Sequence, residues 1–240
     1  MTVRAWLTGR TSDLEILARH FDGRKPTVGR GDDDNFYLAS DPFDDLFDQG
    51  DALHEAAKCE IALVNGITSA LEQSFQPVEL TGRFDDDSGR RHGVVFAELA
   101  IGVTATASVT ATVNGKEVLP PPSQAPELVA VARDHPDATE ALSILTKAKG
   151  DAGWADLYKV FEIIRENVGG QPRLIEKQWK TKIEISAFTA SANSPHVSGS
   201  AARHARMQAG KPQHTMSLSE GRAMISDLLI AWLQALAVTP

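Results

Sequence analysis

From Val95 to Val113 every odd-numbered position is apolar or alanine, and most even positions from Thr104 onward are Thr or Ser. Alternation of period two gives a strand one buried and one wet face, the pattern of an antiparallel sheet solvated on one side. As a single strand these 19 residues would span about 60 Å, longer than a domain of this size holds. A two-residue hairpin loop would swap the parity of facing residues, and here the parity is kept. The run is therefore expected to bend, bulge or close through an odd-length loop near Gly102. "VNGKEV" then supplies a further turn through Asn114-Gly115.

The period changes across "PPPSQAP", residues 120–126. Prolines in series hold an extended, semi-rigid connection. Before them, strand and helix signals mix. "VRAWLTG" reads as an opening strand and "SDLEILARHF" as a helix capped by Ser12. "NFYLAS" reads as a short strand, and a longer helix starts near Asp51 with its passage through Asn65-Gly66 left open. "QPVELTGRF" is a strand that leads into the turn composition "DDDSGRRHG". After the prolines the period is helical. Two short helices split at Pro136. Trp154, Leu157, Tyr158, Phe161 and Ile164 share a face that closes at Gly169-Gly170. A last helix opens on the box Ser217…Glu220 and carries Ile225, Leu228, Leu229, Trp232, Leu233 and Leu236 on one stripe. The chain is read as α+β: an N-terminal antiparallel-sheet-plus-helix domain over 1–119, a Pro-rich linker over 120–126 and an all-α helical domain over 127–240.

The net charge is −8, unevenly placed. Residues 1–120 carry 11 Lys and Arg against 20 Asp and Glu, whereas residues 171–214 carry 7 against 2 with three His. A basic end on an acidic chain permits RNA or another polyanion as partner there. The alternative is that the two halves attract each other or that these charges are merely solvated. Cys59 is the sole cysteine, which excludes an internal disulfide and a thiolate-rich zinc site. Among Ala56, Ala57 and Ala62 it reads as a small buried hydrophobe.

No phosphate-binding loop, dinucleotide fingerprint, H-E-x-x-H or G-x-S-x-G elbow occurs. The runs Asp32–Asp34 and Asp85–Asp87 lack calcium-loop spacing and read as solvated turns. No metal and no cofactor are expected. "MTVRAWLTGR" lacks an apolar stretch of leader length and no run reaches 18 apolar residues. A cytoplasmic protein without a membrane span is expected.

The densest chemistry lies in "FTASANSPHVSGSAARHARM", residues 188–207. Its Asn, Ser, Pro and Gly form a loop, and "SAARHARM" resumes a helical turn. Free N–H groups at a helix start, converging with cations, make an anion site. On this reading Asn193, Arg206, Lys211 and Lys182 bind, while Arg203 and His204 are the catalytic candidates, His204 as a general acid or base. The alternative has Asn193 capping a helix end, Arg203 pairing with a carboxylate of the N-terminal half and His204 in a structural hydrogen bond.

The stretch "F-T-A-S-A-N…S-G-S-A-A-R-H…M-S-L-S-E-G-R-A-M-I…L-L-I-A-W-L" resembles bacterial proteins with no assigned activity. More faintly it resembles HEPN-type helical domains, many of which are metal-independent ribonucleases of defence and toxin systems. The resemblance is confined to the C-terminal half. It implies a dimerising helical fold in which an Arg and a His precede the last long helix. Arg203 and Arg206 would then hold phosphate, and His204 would move a proton while the RNA 2′-OH attacks. That family separates its Arg from its His by a short spacer. Here Arg203 and His204 are adjacent, and seven residues separate Arg206 from His214. The expectation is a binding or interaction protein acting through its C-terminal helical domain, with a HEPN-like RNA-binding protein or ribonuclease as the alternative.

Overall fold

The computed structural model describes residues 1–93, 112–113, 116–117, 123–147, 151–203 and 212–238. It is α+β, with a five-stranded antiparallel sheet and its helices first and a helical region after. Two compact units divide the chain: residues 1–68 with 75–129, and residues 69–74 with 130–240.

In the first unit β1 (Val3–Thr8) is the central strand. It pairs with β3 (Phe36–Ala39) on one side and β4 (Glu79–Asp86) on the other. The edges are β2 (Thr27–Arg30) and β5 (Arg91–Gly93), giving the order β2-β3-β1-β4-β5. Period-two alternation sorts the two faces. Val3, Ala5 and Leu7 are buried with Val28, Leu38 and Phe84. By register, Arg4 and Trp6 stand on the opposite face with Tyr37, Arg83 and Asp85. β2 escapes the sequence reading because "TVGR" offers one apolar residue between a Thr and a Gly.

α1 (Thr11–His20) starts with Arg10 at the cap position, not Ser12. Asp13 in the first turn is 1% exposed. It accepts Arg10 Nε and Nη2 and the Gln76 amide, and no side chain caps the first-turn amides of α1. After α2 (Asp41–Leu46), α3 (Gly50–Leu71) runs unbroken through Gly66. Asn65 is buried and clamps Val78, donating Nδ2 to its carbonyl at 2.8 Å and accepting its amide at 3.1 Å. That two-sided bond offsets the helix cost of the glycine, about 1 kcal/mol. Cys59 on α3 is exposed, contrary to its reading as a core residue. β6 (Thr112–Val113) and β7 (Lys116–Glu117) pair antiparallel around the expected turn. Asn114-Gly115 itself, and the alternating run from Val95 to Ala111, lie outside the described residues.

α4 (Ala125–Arg133) and α5 (Pro136–Lys147) divide at Pro136, and Ala125-Pro126 form the first turn of α4. α6 (Trp154–Asn167) buries the five-residue face read from sequence and ends before Gly169 and Gly170, both at positive φ. α7 (Gln171–Glu176) follows. α6 packs on α5, on α8 (Lys182–Asn193) and on α10 (Leu218–Val238). The expected box opens α10: Ser217 and Glu220 exchange side-chain bonds to each other's amides at 3.2 and 2.7 Å. Ile225, Leu228, Leu229, Trp232 and Leu233 are buried and Leu236 is half-buried. Among the described residues, α10 alone is long and apolar enough to cross a membrane by length and composition. Its apolar stripe packs in the helical core.

Candidate functional site

α8 ends at Asn193, and the chain turns into the short α9 (Pro195–Ser198) and a single tight turn, Gly199–Ala201. Three bonds lock this corner. The hydroxyl of fully buried Ser191 accepts the Met216 amide at 2.8 Å. The Ser198 hydroxyl donates to the Ser191 carbonyl at 2.5 Å. The Arg203 amide donates to the Ala192 carbonyl at 2.8 Å, which returns Arg203 to the neighbour of Asn193.

The Arg203 guanidinium lies 4.3 Å from the centre of the Tyr158 ring and 3.5 Å from Glu162 Oε2. Tyr158 stacks on Phe188 at 6.2 Å, and Phe188 meets Trp154 and Phe161 at 5.9 and 5.4 Å. Arg203 therefore covers the aromatic core of α6 and α8, with about a third of its side chain (34%) left to solvent. Its carboxylate partner comes from α6, not from the N-terminal half. The end of α8 is closed by the Ser194 amide on the Ala190 carbonyl. Asn193 Oδ1 is buried without a hydrogen-bond partner, as is Ser194 Oγ, so the Asn193 carbonyl oxygen does not cap. A guanidinium seated over a ring with part of its side chain open to solvent is suited to an oxyanion.

The structure brings Asn193 and Arg203 together. Lys182, exposed at the first turn of α8, is about 16 Å along the helix axis from Asn193. His204, Arg206 and Lys211 lie outside the described residues.

Both aspartate runs are engaged by other side chains, and Asp85 and Asp86 are buried at the end of β4, not solvated in a turn as read from sequence. Asp33 faces Arg83 at 3.6 Å and Asp34 faces Arg30 at 3.5 Å. The Asn35 side chain holds the Asp33 carboxyl below its ordinary range. Asp86 accepts from the Ser88 hydroxyl, two backbone amides and Arg90. The Ser88 bond, with Arg90 behind it, brings its carboxyl down to about 2. Among the described residues no three His, Cys, Asp or Glu side chains group to hold a metal ion. A cleft of about 530 Å³ at the end of β1 is lined by Thr8, Thr11, Glu15, Arg30 and Asp34 among others. Its arginine is already paired with Glu15 and Asp34 and stacked 4.7 Å over Phe36.

Sequence reasoning passed over a second cluster, on the outer face of the sheet. A Cβ at Gly29 would come within 2.5 Å of the Tyr37 ring, and one at Gly31 within 2.6 Å of the Trp6 indole. The two glycines thus let both rings lie against backbone. Tyr37 and Trp6 meet edge to face at 5.8 Å. Arg4 lies 5.1 Å over Tyr37, and Arg83 lies 4.2 Å over Trp6. Trp6 Nε1 and Arg83 Nη2 both donate to Asp85 Oδ2 at 2.8 Å. Arg4 Nε, Arg83 Nε and Asp85 Oδ1 are buried without partners. The available signal was "VRAWLT", where Arg and Trp alternate with residues of a fully apolar face.

No known family, curated protein or solved structure matches this chain.

Proposed function

We propose that the chain is a binding protein whose C-terminal helical unit takes an RNA-type polyanion at the corner that follows α8. The observation that carries this reading is Arg203: its backbone is tied to Ala192, its guanidinium lies over the Tyr158 ring, and about a third of its side chain is open to solvent. The surrounding sequence supports it, since residues 171–214 hold 7 basic and 2 acidic residues. A pre-fixed guanidinium loses little freedom on meeting phosphate, so the contact contributes more than a mobile surface lysine.

Glu162 makes the reading testable. Glu162→Gln removes the competing carboxylate and should strengthen binding to a short single-stranded RNA about two- to fivefold, in line with an exposed pair of about 0.5–1 kcal/mol. Arg203→Gln should weaken it and lower the slope of log affinity against log salt by about 0.7. If Arg203 only covers the aromatic core, both substitutions shift thermal stability and leave RNA binding unchanged. A ribonuclease would need His204, next in sequence, to move the proton of the attacking 2′-OH. Metal-free cleavage that disappears in His204→Ala while binding survives would establish catalysis.

A further inference from the structure

We infer that the corner between α7 and α8 is a docking surface for a lipid bilayer that carries anionic headgroups. Local bonds close both sides of this corner. α7 ends with the Gln178 amide on the Ile175 carbonyl at 3.0 Å and the Trp179 amide on the Leu174 carbonyl at 3.2 Å. Gln178, at a φ of 59°, is the left-handed residue of that Schellman end. α8 then opens on the reciprocal box of Thr181 and Glu184. Leu174 and Ile185 are buried, whereas Ile175 is 37% and Ile183 61% exposed. By the helical step, Lys182 and Ile183 stand on the side of α8 away from buried Ile185, Phe188 and Ala192. The corner therefore keeps its shape without its two exposed isoleucines. A single exposed apolar side chain is ordinary. Here two of the four large ones exposed among the described residues flank one rigid corner, with half-buried Trp179 between them in sequence.

The corner is also cationic. Residues 171–183 hold four basic residues and one acidic. The carboxylates around it are occupied: Glu176 pairs with Arg173 at 2.6 Å, Asp227 pairs with Lys180 at 3.0 Å, and Glu184 accepts from the Thr181 amide and hydroxyl. Among the described residues neither Lys177 nor Lys182 makes an ion pair. Lys177 Nζ lies 5.2 Å over the Trp179 ring. Isoleucines that enter the acyl boundary, an indole at headgroup depth and lysines long enough to reach lipid phosphates compose an interfacial anchor. RNA would use the lysines and leave the isoleucines wet. Seven of the nine residues 175–183 are exposed, so a folded protein would need a hollow matched to this projection. A fluid bilayer takes the projection as it is.

The test is flotation of the full chain with vesicles of phosphatidylcholine mixed with phosphatidylglycerol, against vesicles of phosphatidylcholine alone. The wild type should bind the mixed vesicles and not the neutral ones. Lys177→Gln and Lys182→Gln should each cost about fivefold in affinity. Ile175→Ser and Ile183→Ser combined should cost about tenfold with little change in melting temperature, because both side chains are exposed. Arg203→Gln, beyond the other end of α8, should cost nothing. Absence of binding to the mixed vesicles overturns the assignment. Binding that survives undiminished in the double serine variant overturns it too, since the corner would then be a plain cationic patch. So does binding lost in Arg203→Gln alone. A short single-stranded RNA that loses affinity in both lysine variants while vesicle binding holds would give the corner to RNA and overturn the choice of lipid. The decisive variants leave Arg203 and Glu162 in place, so this surface and the RNA corner fail or stand separately.

Discussion

Trp232→Ala probes whether α10 is the keystone of the helical unit. The indole is 1% exposed, donates Nε1 to Asn167 Oδ1 at 2.9 Å and meets the His135 ring edge to face at 5.6 Å. Truncating a buried ring of this size costs about 3–5 kcal/mol, because neighbouring helices collapse only partly into the space. The Asn167 oxygen loses its donor but lies near solvent, and adds at most about 1 kcal/mol. Trp232→Phe separates the two contributions: it keeps most of the volume and drops the N–H, for about 1–2 kcal/mol. A unit of this size holds roughly 10 kcal/mol in total, so the Ala variant loses near half of it. Urea unfolding followed by backbone circular dichroism reads the loss without relying on the deleted fluorophore. At an m-value of about 2 kcal/mol/M the Ala midpoint should fall by about 2 M and the Phe midpoint by well under 1 M. A fall below about 0.3 M for Ala would refute the packing argument. Equal falls for both variants would mean that the hydrogen bond, not the ring, carries the site.

Gly221→Ala tests a competition of signs: Ala gains about 1 kcal/mol of helix propensity, but its Cβ would lie 2.6 Å from the buried Trp154 ring. Overpacking costs about 1–3 kcal/mol, so the melting temperature should drop; a rise would show that Trp154 yields freely. Ser191→Ala leaves the Met216 amide without an acceptor and should cost about 1–2 kcal/mol, read as a lower urea midpoint; an unchanged midpoint would show that the clamp is idle. Acid should weaken the fold in two stages. Burial, with Lys58 nearby, holds His54 below 6.5, so protonation is easier in the unfolded chain and stability starts to fall as pH drops below that value. Asp86 at about 2 against an ordinary 3.8 keeps its contribution above that range and loses it as pH falls from 3.8 toward 2. Asp86→Asn should flatten the second stage alone, and a second stage of undiminished depth in that variant would refute the assignment.

Helices with a wide apolar stripe were legible because burial on one face is written in the spacing. The stripes of α6 and α10 and the Ser217–Glu220 box stand where the sequence placed them. β1 was legible as a strand, but its outer face was not legible as a cluster. Arg4, Trp6, Tyr37, Arg83 and Asp85 come from three strands and meet through register, which depends on pairings between positions up to 81 apart. The cap of α1 failed for a related reason: Asp13 recruits Arg10 and the distant Gln76 amide, and tertiary bonding outweighed the local hydroxyl preference. In the C-terminal stretch, composition identified the corner. It could not show that Arg203 would be turned onto Tyr158, since that depends on where α6 lies beside α8.

The division of the chain bears on its synthesis. Residues 69–74, from the end of α3 into the loop after it, are grouped with residues 130–240. Neither unit is a contiguous stretch, so a gene cut at the proline series yields neither one whole. During translation at about 5–20 residues per second, this hexapeptide emerges some 10–30 s before the last of its partners. It must wait in a nascent chain whose neighbouring residues are already free to build the sheet. The order of emergence therefore places the N-terminal sheet ahead of the residues from 130 onward with which this hexapeptide is grouped.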